Sequence, residues 1–523
     1  MQSTCVSLTC MVFQFAVGIQ TERGETTAFL WLPPEAEPVR GVVLAGSTLM
    51  ERHFVRDPHI RDACADEQLA IAFLTGGLGA VDPQDVLDKL ADASGYRELS
   101  AAPLLFVGHS AGGPPAKAHA RRMASRCFGL IQYRGGGPGG GDPLQPGIPA
   151  LMMIGQFDEF AGTMRDEDGR ESWQRNVEHM ADYRDADEGN LATILVEPGA
   201  GHFAWSERNA EYVAMWIRQA ARAKIPRSGS VDADQAVRLR DIDPRNGWLT
   251  DLDLPTTGEH EPAPYDEYQL DKAETNWNFD REMAEATIDY HNGQMDKKDQ
   301  FVKWQDLHWV DAGARFFFTR IEWIDDGQTF RVHPVYADEY PSRYNGRGPR
   351  WAQAGEPVGN SGVPIEVKVV GGPLVATGPD TFRMRYDAIS PAGGRDRATF
   401  MAYSAGDDEY RYTEQVGMLP RGFRGLDRGS EQTITFPEVP DMTPDCGPVE
   451  LGATSDSGLE VEYYVAYGPA VVRDGKLEIA ELPARAELPI EVRVVAYQFG
   501  SGVEPQVRTA EPVAKTLRIV PPQ

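Results

Sequence analysis

Three polar residues, each placed after an apolar run, have the types that nucleophilic acyl chemistry requires. Ser110 lies in the sequence GHSAG, after PLLFV and before a stretch with helical spacing. Asp158 follows LMMIGQF, and His202 lies in a glycine-rich loop after ATILVEP. A serine hydroxyl is a weak nucleophile at neutral pH and needs a base that a carboxylate orients. The chain order serine, acid, histidine, with each residue just past a predicted strand, therefore predicts a catalytic triad.

The glycines around Ser110 make a sharp strand-to-helix turn sterically feasible. Gly108 and Gly112 carry no Cβ, so a strand and the following helix can close around the serine. A serine at such a turn is held in a strained backbone conformation that exposes its Oγ. The alternative interpretation is an ordinary serine at a helix N-cap.

The oxyanion of an acyl-transfer reaction needs two hydrogen-bond donors near the serine. The N–H of Ala111 is the first candidate, because it lies at the start of the following helix. The loop after the run GVVLAG should supply the second donor. Gly46, Ser47 and Thr48 are the candidates there, and Ser47 is the predicted donor. The HGG sequence common in esterases is absent from this loop.

The triad prediction has rivals at two positions. Glu159 follows Asp158 directly and could be the acid, with Asp158 a surface turn residue. His202 could have a structural role. His109 precedes the nucleophile, so its side chain should point away from the bond that is cleaved. We expect His109 to pack against the site or support it.

The stretch QYRGGGPGGG, residues Gln132–Gly141, follows a predicted strand whose end should face the site. In one interpretation it is a flexible or close-approach loop that borders the substrate pocket. Arg134 would then bind a carboxylate of the substrate, and Gly135 would contact the substrate through its backbone. In the other interpretation it is a surface loop without function. The sequence leaves both open.

Strand and helix candidates alternate over residues 12–226. The strands, such as GVVLAG, LAIAFL and PLLFV, are continuous apolar runs, which is typical of a parallel sheet covered by helices on both faces. We therefore predict an α/β fold with a doubly wound, mostly parallel sheet. A linker that wraps onto the domain surface follows at 227–275. We then predict a β-rich sandwich domain at 276–443, with one helix capped by Asn278, and an immunoglobulin-like β-sandwich at 444–523.

Residues from Phe13 to Ile225 resemble the α/β-hydrolase superfamily in its compact form without a large inserted lid. This resemblance implies that Ser110 is the nucleophile, His202 the general base and Asp158 the residue that orients the base. It implies a serine esterase that forms an acyl-enzyme and needs no cofactor and no metal. The last part of the chain looks like a bacterial immunoglobulin-like module.

The appended β-sandwiches resemble the layout of secreted bacterial enzymes that act on acylated polysaccharides. That layout implies a carbohydrate esterase, acetyl or feruloyl in type, acting on a glycan or small-molecule ester, with possible polysaccharide contact through the β modules. The alternatives are a peptidase or a polyester depolymerase with the same triad, and a binding or scaffold protein with a decayed hydrolase core. Four tryptophans could form a sugar platform, although sandwich core is the expected role: Trp304, Trp309, Trp323 and Trp351.

Charge and composition exclude several classes of partner. The net charge of −28 argues against nucleic-acid binding and against adhesion to an anionic membrane. No run approaches the length of a membrane span. The five cysteines have no metal-ligand spacing and indicate no disulfide framework. The domain layout favours a secreted or periplasmic protein, although the first residues lack the positive start of a signal peptide.

Overall fold

The computed structural model describes residues 12–22, 24–48, 50–158, 172–203, 205–227, 237–255, 260–292, 297–305, 319, 321–341, 354–394, 398–419 and 425–522. The first part is built on one eight-stranded sheet. Its strands are β1 (Phe15–Thr21), β2 (Gly24–Trp31), β3 (Gly41–Gly46), β4 (Leu69–Leu74), β5 (Leu104–His109), β6 (Cys127–Tyr133), β7 (Ala150–Gly155) and β8 (Ala192–Glu197). Its α-helices are α1 (Glu51–Phe54), α2 (Pro58–Asp66), α3 (Pro83–Ser94), α4 (Gly113–Arg122), α5 (Ser172–Ala186) and α6 (Glu207–Lys224).

The order of the strands across this sheet is β1-β2-β4-β3-β5-β6-β7-β8. The pairs β1–β2 and β2–β4 are antiparallel, and all pairs from β4 to β8 are parallel. Both faces are covered. In β5, Leu104 and Phe106 belong to the core on one face, whereas Leu105 and Val107 belong to the core on the other. This is the α/β-hydrolase fold, so the predicted fold class is confirmed.

The rest of the described chain contains one α-helix and many short antiparallel strands in seven small sheets. The helix is α7 (Arg281–His291). The strands are β9 (Trp248–Asp251), β10 (Ala263–Pro264), β11 (Thr275–Asn278), β12 (Val302–Trp304), β13 (Glu322–Trp323), β14 (Thr329–Arg331), β15 (Pro334–Tyr336), β16 (Glu366–Gly371), β17 (Leu374–Ala376), β18 (Thr381–Met384), β19 (Thr399–Ser404), β20 (Thr413–Met418), β21 (Ile434–Thr435), β22 (Val449–Glu450), β23 (Thr454–Ser455), β24 (Glu462–Tyr467), β25 (Ala470–Arg473), β26 (Lys476–Ile479), β27 (Ile490–Tyr497) and β28 (Val513–Ile519). This β-rich composition agrees with the prediction, whereas the domain boundaries and the immunoglobulin-like module remain predictions.

The predicted linker contains more regular structure than expected, because β9, β10 and the start of β11 form a small sheet beside β8. The side chain of Asn276 in β11 accepts the N–H of Ile194 at 2.7 Å. The predicted cap Asn278 was wrong, because this residue is the last of β11. Asp280 caps α7 instead, and its carboxylate accepts the N–H of Met283 at 2.9 Å.

The β-rich part packs directly onto the α/β sheet. One hydrophobic core contains Leu195 of β8 together with Tyr290 of α7 and Val416 of β20. Trp304 lies in the β-rich core, where it is 1% exposed and its Nε1–H donates to the carbonyl of Val416. Trp323 is half-buried against Phe330. The other two tryptophans considered as a platform, Trp309 and Trp351, lie outside the described residues.

Candidate active site

Ser110 lies in a tight turn directly after β5 and just before α4. Its φ is +52°, in the left-handed region that side chains rarely adopt. A Cβ at Gly108 would lie 2.2 Å from the carbonyl oxygen of Gly112, and a Cβ at Gly112 would lie 2.8 Å from Thr48 Oγ1. Gly108 therefore needs glycine for the turn to close, because a Cβ there would meet backbone atoms, whereas a Cβ at Gly112 would meet side-chain oxygens. The serine has the strained conformation that the motif predicts.

The three predicted triad side chains meet at the carboxyl edge of the sheet. His202 Nε2 lies 2.7 Å from Ser110 Oγ, and His202 Nδ1 lies 2.9 Å from each carboxylate oxygen of Asp158. Asp158 and His202 are buried, whereas Ser110 is half-buried. With Asp158 accepting the Nδ1–H, Nε2 faces the serine hydroxyl as an acceptor. The alternative acid, Glu159, lies outside the described residues.

His109 supports His202 from behind. Its Nε2–H donates to the backbone carbonyl of His202 at 3.0 Å, and the two ring centroids are 4.9 Å apart. Burial, followed by the nearby His202, lowers the pKa of His109 well below its usual value. The ring therefore stays neutral and keeps its donor on the His202 carbonyl.

The predicted second oxyanion donor is engaged elsewhere. The N–H of Ser47 donates to the carbonyl of Leu74 at 2.7 Å, because the hydrogen bonding between β3 and β4 continues past the end of β3. The N–H of Thr48 donates to the carboxylate of Glu51 at 3.0 Å. The choice of Ser47 is therefore not supported by this geometry. Ala111 follows the nucleophile in the turn, and its role as donor stays a prediction.

Sequence reasoning missed Glu51, a buried acid behind the turn. Its side chain also accepts the N–H of His109 at 2.7 Å, so one carboxylate joins the loop after β3 to the end of β5. Glu51 is 1% exposed. Its local sequence, LMERHF, looks like an ordinary helix start, and no local signal marks the carboxylate as buried.

The glycine-rich loop after β6 approaches the nucleophile turn closely. A Cβ at Gly135 would lie 2.2 Å from the carbonyl oxygen of Ser110, and a Cβ at Gly113 would lie 1.7 Å from the carbonyl oxygen of Gly135. Backbone at this separation requires glycine on both sides. The loop therefore approaches the turn at Ser110 closely, as one of the two interpretations of the sequence expected. Gly135 borders the catalytic pocket.

Arg134 binds carboxylates, but they belong to the protein. Its side chain has no exposed area, and its guanidinium pairs with Glu197 and lies 3.9 Å from Glu414. It also donates to the carbonyl of Gly201 and stacks on Tyr133, 4.9 Å from the ring centroid. The guanidinium is thus buried and already paired, although Arg134 also lines the catalytic pocket, and its contact with a substrate stays a prediction.

The β-rich half holds the loop that carries His202. Glu414 of β20 accepts the N–H of Gly201 at 2.7 Å and the hydroxyl of Tyr412 at 2.8 Å. Lys368 of β16 donates to the carbonyl of Trp205 at 2.6 Å, beyond His202. Burial raises the pKa of Glu414, and the nearby Arg134 opposes that rise. The loop around His202 is thus held by residues far along the chain.

Two adjoining cavities lie at this edge of the sheet. The smaller, the catalytic pocket, has a volume of about 250 Å³. It is lined by Ser110, Arg134, Gly135, Gly136, Met152, Ile154, Gly155, Asp158, Ser172, Asn176 and His202. The larger, of about 610 Å³, shares Gly136, Met152 and Asn176 with it. A substrate bound at Ser110 can therefore extend into the larger cavity.

One other cluster of polar side chains has metal-ligand types. Among the described residues, the ligand atoms of His59, Glu207 and Glu211 lie within 4.8 Å of one another. Both glutamates are exposed, and none of the three lines the catalytic pocket. In the part of the chain that the structure describes, no helix combines the length and the apolar character needed to cross a bilayer.

Similar proteins were found only among solved structures. No family model and no curated protein matches this sequence. An α/β serine hydrolase without a lid from Xanthomonas campestris is 17% identical, with 42% of this chain and 97% of that chain covered and a TM-score of 0.27. The esterase domain of a Rhodothermus marinus protein is 17% identical, with 40% and 97% covered and a TM-score of 0.28. An esterase from Pyrobaculum calidifontis is 14% identical, with 41% and 88% covered and a TM-score of 0.28.

Proposed function

We propose that this chain is a serine hydrolase that cleaves carboxylic esters through an acyl-enzyme. The observation that carries the proposal is the hydrogen-bonded row Ser110–His202–Asp158, with 2.7 Å between the hydroxyl and the imidazole. The left-handed backbone of the serine adds support, because such strain persists where it has a function.

In the proposed reaction, Ser110 Oγ attacks the ester carbonyl while His202 Nε2 takes the hydroxyl proton. Asp158 stabilises the imidazolium that forms. The N–H of Ala111 is the proposed donor to the oxyanion. His202 then gives its proton to the leaving alcohol as the carbon–oxygen bond breaks. A water molecule, activated by the same base, releases the acid and restores the serine.

We propose further that the ester is a carbohydrate ester, acetyl or feruloyl in type, and that the protein is secreted or periplasmic. The support is the layout, a lidless hydrolase unit followed by β-rich modules. Incubation with a panel of acetylated and feruloylated glycans, followed by identification of the acid released, tests this part. Release of acid from simple esters but from no glycan would reject it.

The hydrolase proposal is tested with a fluorophosphonate probe and chromogenic substrates. We expect labelling of the intact protein, no labelling of Ser110→Ala, and hydrolysis of p-nitrophenyl acetate without cleavage of p-nitroanilide amides. Cleavage of amides would favour the peptidase alternative. Intact protein that never labels would favour the scaffold alternative.

A further inference from the structure

The larger cavity, here called the side cleft, takes part in none of the steps above. It opens from the catalytic pocket between Gly136 of the glycine-rich loop and Asn176 of α5, over Met152 of β7. Its volume of about 610 Å³ lies within the range of small-molecule sites. An acetyl group would leave most of this space empty, so the side cleft fits a larger part of a substrate.

Apolar side chains and flat backbone line the side cleft. Met152, Met180 and Tyr183 form its buried floor, each no more than 5% exposed. Glycine backbone from Gly136 to Gly141 forms one wall, interrupted by Pro138. Thioether sulfurs pack favourably against aromatic rings, and peptide planes without side chains offer a flat surface. The lining is therefore suited to a planar aromatic group.

The charged groups that line the side cleft are either hydrogen-bonded within the protein or exposed. Lys117 Nζ donates to the carbonyls of Gly139 and Gly140, at 2.7 Å and 3.1 Å. Its charge thereby holds the glycine-rich loop. Asp182 and His179 of α5 also line the side cleft, and both are exposed. Because no charged side chain lies on the buried floor described above, the occupant is expected to be uncharged.

The position of the base indicates which side of the ester enters the side cleft. The leaving alcohol must receive its proton from His202. His202 lines the catalytic pocket but is not among the residues lining the side cleft. The alcohol therefore stays beside His202, and the acyl group extends past Gly136 and Met152.

We infer that the side cleft binds the aromatic acyl group of an uncharged ester. This inference rests on the proposed ester hydrolysis and selects an arylacyl substrate over an acetyl one. The ligand class is defined by chemistry: a planar ring joined to the carbonyl by a short spacer, as in a cinnamoyl group.

Binding without turnover tests the inference separately from catalysis. Calorimetry on Ser110→Ala compares methyl cinnamate, methyl octanoate and methyl acetate. We expect methyl cinnamate to bind at least about tenfold more tightly than either other ester. Equal or tighter binding of methyl octanoate would overturn the aromatic assignment, and no binding of methyl cinnamate would overturn the site. This result does not depend on whether Ser110 is a nucleophile.

Kinetics then test which side of the ester is bound. The ratio of kcat/KM for p-nitrophenyl cinnamate to that for p-nitrophenyl acetate measures acyl selectivity. We expect Ala186→Trp, at a residue that lines the side cleft, and Gly137→Leu, facing Met152, to lower this ratio about tenfold. Asp185→Trp is the matched control, because this exposed neighbour does not line the side cleft.

If the Asp185→Trp control lowers the cinnamate-to-acetate ratio of kcat/KM by as much as the two variants do, the inference is overturned. A change in kcat/KM in the side-cleft variants that depends on the size of the alcohol, measured with phenyl acetate and 2-naphthyl acetate, would also overturn it. If methyl cinnamate binds but no ester is hydrolysed, the proposed function fails while the aromatic site remains, so the two failures can be told apart.

Discussion

The two halves of this chain differ in construction and in their relation to the triad. The first half, up to the end of α6, forms one sheet of eight strands, whereas the second half, where described, has strands of two to eight residues in seven small sheets. Ser110, Asp158 and His202 all come from the first half. The second half supplies Glu414 and Lys368, which bind the loop around His202.

The candidate catalytic side chains and the residues that hold the loop of His202 therefore lie in separate parts of the chain. Gly201, beside the base, and its acceptor Glu414 are 213 residues apart. A parallel sheet brings residues after neighbouring strands to one edge, but it does not fix the loop that carries the histidine. Here a buried carboxylate from the β-rich half fixes it.

Ser110→Ala tests whether the first half carries the chemistry. We expect kcat for p-nitrophenyl acetate to fall about 10⁴-fold or more, because the nucleophile is lost, with the thermal unfolding midpoint little changed. Ser100→Ala is the matched control, since this serine lies before the amino end of β5. Retention of more than about a tenth of the activity in Ser110→Ala would contradict the assignment.

Glu414→Ala tests whether the second half positions the base. The substitution leaves the buried N–H of Gly201 without its acceptor and removes one carboxylate beside Arg134. We expect kcat to fall about 10- to 100-fold with little change in KM. Glu414→Gln should recover part of the loss, because its amide oxygen can accept the same N–H.

The control for this experiment is Glu409→Ala, a surface glutamate paired with Lys298. It should leave kcat and its pH profile as in the intact protein. If Glu414→Ala behaves like Glu409→Ala, the β-rich half does not act on the base. If Glu414→Ala only lowers the unfolding midpoint, its role is structural.

His291 makes the contact between the halves sensitive to acid. Its Nε2 accepts the N–H of Val196 in β8 at 3.1 Å, and burial lowers its pKa from 6.5 to about 3. Below pH 6.5 the unfolded chain binds a proton here that the folded chain does not. As the pH decreases from 6.5 towards 3, the free energy of unfolding should therefore decrease as well. This residue should contribute about 1.4 kcal/mol of that decrease per pH unit.

Denaturant unfolding at pH 7, 6 and 5 measures this slope. His291→Gln should be less stable at pH 7 but should lose less stability as the pH falls. His260→Gln, at an exposed histidine, should keep the slope of the intact protein. Parallel slopes for all three proteins would show that His291 does not titrate as expected.

Surface ion pairs should contribute equally little in both halves. Asp85 and Lys89 pair on α3, and Arg281 and Glu285 pair on α7, each four residues apart and exposed. We expect Lys89→Met and Arg281→Met each to change the free energy of unfolding by less than about 0.5 kcal/mol. The effect at Arg281 should be the smaller, because a cation in the first turn of a helix is unfavourable. Chemical denaturation measures both changes in the free energy of unfolding. A loss of more than about 0.5 kcal/mol in either half would show that its ion pair is coupled to other interactions.

The parallel sheet and the meeting of Ser110, Asp158 and His202 at its edge could be predicted because their signals are local. Continuous apolar runs mark the buried strands, and Ser110, Asp158 and His202 each follow one. The predictions for Ser47 and Arg134 depended on distant partners, and the geometry does not support them. The N–H of Ser47 continues the ladder to β4, and the side chain of Arg134 is covered by Glu197 and Glu414.

The positions of Ser110, Asp158 and His202 after strands, and the need for glycine in the turn at Ser110, follow from the sequence, because strand patterning and steric exclusion act over a few residues. The carboxylates that surround Arg134 and the acceptor that holds the loop of His202 follow only from the packing of distant segments. Nothing local distinguishes buried Glu414 from exposed Glu409, since both lie in polar sequence. Their difference arises when β20 packs onto the loop after β8, because packing of distant segments selects the partners of buried charges.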